Sequence, residues 1–170
     1  KFFFKPLIYL GVFLMLLYYI YYNKILKNSF NTKKNFLFAI FGLLSALFLF
    51  LHVFFLGWTF ESDFLNKLRR TFIIFFILFE VLAQGFLINK LYLIRNVLTK
   101  YLNLTIIYIK ILFVAMVCLS SMIILTILVF YNLDSKVDYI IEWNYFLILL
   151  VFYFLSFLVW KKLNSNPTTA

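Results

Sequence analysis

Histidine and cysteine each occur once in this chain, and acidic residues only six times in 170 positions. A single cysteine, Cys118, excludes a disulfide within the chain and a cysteine pair for a metal. Set in an apolar segment, it reads as a small packing residue. A single histidine, His52, excludes haem ligation by two histidines. There is no Cys-x-x-Cys for thiol redox chemistry and no His-Glu-x-x-His for a zinc protease. Gly-x-Ser-x-Gly is also missing, and His52 has no serine motif beside it. With four glycines in all, no Gly-rich loop is available to cradle a phosphate. The expectation is a protein without catalytic constellation, cofactor or metal, with loops too short to hold a soluble catalytic domain.

What the chain has instead is apolar mass. Hydrophobic residues fill 66% of it, against roughly 45–50% in a soluble globular domain. A soluble fold of this size would have to display much of that excess on its surface. In a bilayer the surrounding solvent is itself hydrocarbon, so the excess has somewhere to face. Several apolar runs exceed the roughly 18 residues that mark a membrane-spanning helix. The alternation of an outer-membrane barrel strand is absent. The fold class is therefore all-α: a polytopic transmembrane helical bundle of about five spans.

The spans read as 7–22, 36–58, 71–88, 111–131 and 141–160 in a single transmembrane domain covering 1–162. Each is near the ~20 residues that cross a ~30 Å hydrocarbon core. Lys1 and Lys5 before an apolar run resemble a signal peptide, but no small-residue cleavage site follows, so the first run reads as a retained span. Tyr18, Tyr19, Tyr21, Tyr22, Trp58, Trp143 and Trp160 fall near span ends and read as interfacial aromatics. The polar tail, 163–170, reads as disordered and cytoplasmic. Phenylalanine is abundant alongside Ile, Leu, Tyr, Asn and Lys, a set with A/T-rich codons, so aromatic content alone supports no mechanism.

The 16 basic residues sit mostly at the ends of apolar segments. That placement anchors helices at lipid headgroups and does not make a nucleic-acid surface. Lys24, Lys27, Lys33, Lys34, Lys90, Arg95, Lys100, Lys110, Lys161 and Lys162 share one side of the membrane with no acidic residue. The other side mixes six basic residues with Glu61, Asp63, Asp134, Asp138 and Glu142. By the positive-inside rule the first side is cytoplasmic, giving N-terminus out and C-terminus in, in a bacterial inner membrane or an organelle membrane. Between the third and fourth spans, segment 89–103 carries Leu91, Ile94, Leu98, Tyr101 and Leu102 at helical spacing among basic and polar residues. It reads either as an amphipathic helix on the inner leaflet or as a continuation of the third span.

Ionisable residues deep in a bilayer are costly and invite a functional hypothesis. Glu80 is the one acidic residue well inside a span, nine residues past Thr71 and roughly 13 Å deep at helical rise. Gln84, four residues on, shares its face. His52 lies six residues before Trp58. With the second and third spans antiparallel, Glu80 and His52 differ in depth by about 4–5 Å. Glu80, His52 and Gln84 are accordingly the candidate intramembrane polar site, either a proton-transfer or ligand site or a polar clamp between helices. Lys110, about one turn inside a span end, reads as snorkelling to the headgroups. Two stripes of small residues, Ala39/Gly42/Ala46 and Ala115/Cys118/Ser121, read as helix-packing surfaces within the bundle or toward a partner.

Two functions from different classes fit these residues. One is a non-catalytic accessory or interaction subunit, with the lipid bilayer and a membrane-protein partner or a second copy as its contacts. The other is a small transporter or proton-linked channel-like protein with Glu80, His52 and Gln84 on its path. A third, a lipid-modifying enzyme, would rest on Glu61, Asp63 and Glu142 alone.

Overall fold

The computed structural model describes residues 4–30, 37–55, 63–96, 101–130 and 135–160. Within these residues five helices follow one another: α1 (Phe4–Phe30), α2 (Leu37–Phe55), α3 (Asp63–Leu93), α4 (Leu104–Phe130) and α5 (Ser135–Leu158). No strand forms among the described residues beyond one bridge between Leu102 and Trp160. Among the described residues, four stretches are long and apolar enough to cross a membrane: Lys5–Lys27, Leu37–Phe55, Thr71–Leu93 and Leu104–Ile123. A further apolar stretch, Trp143–Leu158, is shorter. The protein is thus an all-α membrane protein. Its outward faces agree: on α1 alone, Leu7, Leu10, Phe13, Leu14, Leu17 and Ile20 are exposed, an apolar surface that water would not tolerate.

α1, α3, α4 and α5 extend beyond the apolar runs from which they were read, whereas α2 stays within its run. α1 continues through Asn23, Lys24 and Lys27 to Phe30, and α3 begins at Asp63, eight residues before Thr71. Hydropathy marks where a chain stops being apolar; intrahelical hydrogen bonding continues until a residue or a turn interrupts it. Lys90 in the last turn of α3 also suits the helix dipole. Segment 89–103 is divided. α3 carries it to Leu93, Ile94–Asn96 turn, and Leu102 is already in the bridge to Trp160. Positions 97–100, with Leu98, lie outside the described residues, as do Trp58, Glu61 and the tail 163–170.

The chain divides into two compact units, Lys1–Leu87 and Ile88–Ala170. In the first, α1 buries Ile8, Val12, Met15, Tyr19, Tyr22 and Leu26, an alternating spacing of four and three that makes one continuous stripe. α2 answers with Phe38, Gly42, Ser45, Leu49 and His52 at the same spacing. Contacts at both ends of the pair, Tyr9 with Phe50 and Tyr19 with Gly42, show that α1 and α2 run antiparallel. The ring of Tyr19 lies directly on Gly42, where a Cβ would collide with it. The small-residue stripe of Ala39, Gly42 and Ala46 is therefore a seat for α1, and all three are buried. Tyr19 and Tyr22 are buried too, so they are not interfacial anchors; the greater length of α1 carries Tyr19 toward mid-membrane.

α2 and α3 meet along a ladder of phenylalanines. Phe41 stacks on Phe86 at 5.5 Å, Phe48 on Phe79 at 5.4 Å and Phe55 on Phe72 at 5.8 Å. The rungs recur every seven residues on both helices, the repeat that keeps a helical seam facing its partner. Offset aromatic pairs of this kind add about 0.5–1.5 kcal/mol each beyond area burial. They also set the register, which puts Glu80 level with Leu47, beside Ser45.

In the second unit, α4 and α5 pair as an antiparallel hairpin. Asn103 N donates to Val159 O at 2.9 Å, joining the start of α4 to the end of α5. Leu102 and Val159 are fully buried at that junction. Below it Phe113 meets Phe152 edge-on at 5.1 Å, and Ser121 Oγ and Tyr145 Oη lie 2.9 Å apart.

Gly42→Ala tests the α1–α2 seam. The added methyl must displace a fully buried ring whose hydroxyl is held in place, so it should destabilise by about 1–3 kcal/mol. Thermal unfolding in a mild detergent reads this out, and Ala39→Gly should not reproduce a loss of that size.

Candidate functional site

Four polar side chains from three helices converge near the middle of the first unit. Tyr19 comes from α1, Ser45 from α2, and Glu80 and Gln84 from α3. Each lies on its helix's buried stripe, so the packing that hides the apolar faces carries these groups inward as well. All four are fully or almost fully buried, Glu80 at 1% exposure.

Hydrogen bonds join all four. Tyr19 Oη donates to Glu80 Oε1 at 2.7 Å. Ser45 Oγ donates to Glu80 Oε2 at 2.7 Å. Gln84 Nε2 donates both to Tyr19 Oη at 2.8 Å and to Glu80 Oε1 at 3.0 Å. Three donors thus meet two carboxylate oxygens, and Tyr19 Oη both accepts and donates. The orientation of the Gln84 amide follows from this, because an oxygen in the place of Nε2 would face two acceptors. Its Oε1 is buried and makes no hydrogen bond among the described residues.

Such a network ties α1, α2 and α3 together at one depth. Interhelical hydrogen bonds in membranes average about 0.6 kcal/mol, with a maximum near 1.7. Bonds to charged groups elsewhere in proteins contribute about 1.5–3 kcal/mol. The larger cost is the failure case: a buried carboxylate stripped of its donors, with no water to replace them.

Glu80 and Gln84 come together as their spacing implies. His52 is buried, 3% exposed, on the face of α2 that also carries Ser45. The phenylalanine ladder places His52 level with Phe75, about 7–8 Å from the level of Glu80 at 1.5 Å per residue. α2 reaches the carboxylate through Ser45. Counting inward from Trp58 and Thr71 underestimates this offset, because the ladder sets Phe55 level with Phe72. Tyr19 and Ser45 were not anticipated. The periodic stripe of α1 is the signal that could have found Tyr19, and the neighbouring small residues are the signal for Ser45.

A second polar pair occupies the other unit. Lys110 is fully buried, its Nζ donating to Ser156 Oγ and lying 5.5 Å from the Phe152 ring centroid. Ser156 Oγ in turn donates to the Phe152 carbonyl at 2.9 Å. Lys110 therefore does not snorkel. α4 begins at Leu104, seven residues earlier than its apolar run suggests, which moves Lys110 inward and turns it onto α5. On the same helix Ala115 and Cys118 face outward. Ser121 is half-buried against Tyr145, so that stripe does not form a seam within its unit.

Groups of three or more His, Cys, Asp and Glu able to hold a metal are absent among the described residues. No known protein family, no curated protein and no solved structure matches the chain.

Tyr19→Phe removes a donor from Glu80 and an acceptor from Gln84 together, and should cost about 1–3 kcal/mol. Ser45→Ala removes one donor and should cost about 1 kcal/mol. Comparing their unfolding midpoints in detergent checks the ranking; an unaltered midpoint for Tyr19→Phe would show that the network does not hold the helices. In the second unit Lys110→Met should be tolerated. It keeps the aliphatic volume against Phe152 and removes a cation whose burial is costly.

Proposed function

We propose that this chain is a non-catalytic membrane subunit, an accessory or scaffold that works by packing against another membrane protein. The observation that carries this reading is the enclosure of Glu80. The Glu80 carboxylate is 1% exposed, with both oxygens bonded by Tyr19, Ser45 and Gln84 from three helices. A carboxylate enclosed in this way acts first as a lock on helix packing. The outward small-residue stripe of α4, Ala115 and Cys118 among exposed Leu112, Met116 and Leu119, supports the same reading, because small residues let another helix approach closely.

The second reading, a small transporter or proton-linked channel-like protein, is favoured by one feature: Glu80 and Gln84 sit near mid-span, with His52 buried along the neighbouring helix. For either reading we place the basic side in the cytoplasm of a bacterial inner membrane, or its organelle counterpart, with the N-terminus outside.

Affinity purification from the native membrane in a mild detergent separates the two. The subunit reading expects a stoichiometric membrane-protein partner. Recovery of the chain alone or as a homo-oligomer, with proton flux in vesicles that Glu80→Gln abolishes, would replace it with transport. Orientation is read with an impermeant thiol reagent on a Cys118→Ser background. Asn132→Cys should label in intact cells and Asn28→Cys only after permeabilisation.

A further inference from the structure

α3 ends in a cation whose charge no described carboxylate neutralises. Arg95 follows the last turn of α3, two residues past Leu93, where the apolar stretch Thr71–Leu93 stops. Its guanidinium carbon lies 3.7 Å from the centroid of the Tyr92 ring, and its Nη1 donates to the Tyr92 carbonyl at 3.1 Å. The same carbonyl accepts from Arg95 N at 3.3 Å. Tyr92 in turn meets Tyr108 of α4 edge-on, with 6.2 Å between ring centroids. Stacking and capping thus hold the plane of the guanidinium, and the cap uses one N–H of its donor fork. The sequence supplies no acidic residue between Glu80 and Asp134. Glu80 is held in its own cluster. Asp138 and Glu142 lie near the start of α5, whose other end is the one that meets the start of α4.

We propose that Arg95, held on Tyr92 against Tyr108, forms a binding site for the headgroup of an anionic phospholipid. Depth is the first argument. Leu93 beside it is 71% exposed and Tyr108 of the same cluster 53%. An apolar side chain so open belongs among acyl chains, and tyrosines at a span end belong in the headgroup layer. The guanidinium between them is therefore level with the lipid phosphates. Shape is the second argument, since a planar fork matches two phosphate oxygens at once, and a fork already fixed loses little freedom on binding. Charge selects the headgroup. Lys90, in the last turn of α3, repels the ammonium of a zwitterionic lipid, whereas an anionic lipid brings no such group. The exposed apolar side chain at the level of the guanidinium favours a lipid over an acidic protein segment. The site rests on the chain spanning the membrane, and stands for a packing subunit and for a transporter alike.

The test titrates the full chain, in a mild nonionic detergent, with phosphatidylglycerol and with phosphatidylcholine of the same acyl chains, counting bound lipid by native mass spectrometry. The wild type should prefer phosphatidylglycerol, and Arg95→Gln should weaken its binding about tenfold. Lys27→Gln, which removes one charge from the last turn of α1, should leave it unchanged. Should Arg95→Gln fail to fold, Arg95→Lys takes its place: it keeps the charge but neither the fork nor the stacking, and should weaken binding several-fold. Inorganic phosphate at the same concentration should not displace the lipid. Equal binding of the two lipids by the wild type overturns the proposal. An equal loss in Lys27→Gln and Arg95→Gln also overturns it, in favour of diffuse charge. Displacement by inorganic phosphate overturns it in favour of a site for a soluble anion.

Discussion

The constraint on which the first unit depends is the burial of a carboxylate where no water can reach it. Glu80 has to be satisfied by protein groups, and its own helix supplies Gln84, one turn away. α1 and α2 each add a donor, at 2.7 Å. Apolar packing between helices in a membrane is tolerant of sliding and rotation, since lipid tails are as apolar as the partner helix. A hydrogen-bonded carboxylate is not tolerant in that way, because a displacement of even an ångström breaks its bonds. The seat of Tyr19 on Gly42 and the phenylalanine ladder between α2 and α3 follow from the same requirement: each fixes one helix relative to its neighbour at the depth of Glu80.

The second unit solves a related problem with the opposite charge. Lys110 is buried where α4 meets α5, against Ser156 and the face of Phe152. The junction of Asn103 with Val159 sets the register that brings them together. In each unit a buried charged side chain, Glu80 or Lys110, is met by hydroxyls and lies among aromatic rings. The rest of each helix then needs only apolar residues at the right spacing.

Much of the fold was legible from composition and hydropathy, since a bilayer demands long apolar helices and little else. The number of helices and their order could be read directly. Their ends could not, because backbone hydrogen bonding carries a helix past the last apolar residue, as at Asn23 in α1 and before Thr71 in α3. That error spread to the polar residues. Depth counted from a span end misplaced Tyr19 and Lys110, and underestimated the offset of His52 from Glu80. Phenylalanine content, which codon bias could account for, conceals a seven-residue repeat at Phe41, Phe48 and Phe55 and again at Phe72, Phe79 and Phe86. Abundance carried no information there; spacing did.

The sequence by itself determined that this is a helical membrane protein, that Glu80 and Gln84 share a helix face, and that Ala39, Gly42 and Ala46 form a close-approach surface. These are properties of one segment, set by the 3.6-residue period and by the cost of polar groups in hydrocarbon. Only the tertiary structure decided who meets Glu80. That choice depends on the rotation and register of three helices, and is made by aromatic stacking and by the absence of a Cβ at Gly42. Tyr19, Ser45 and Glu80 are separated by 35 and 61 residues, and no local rule connects them.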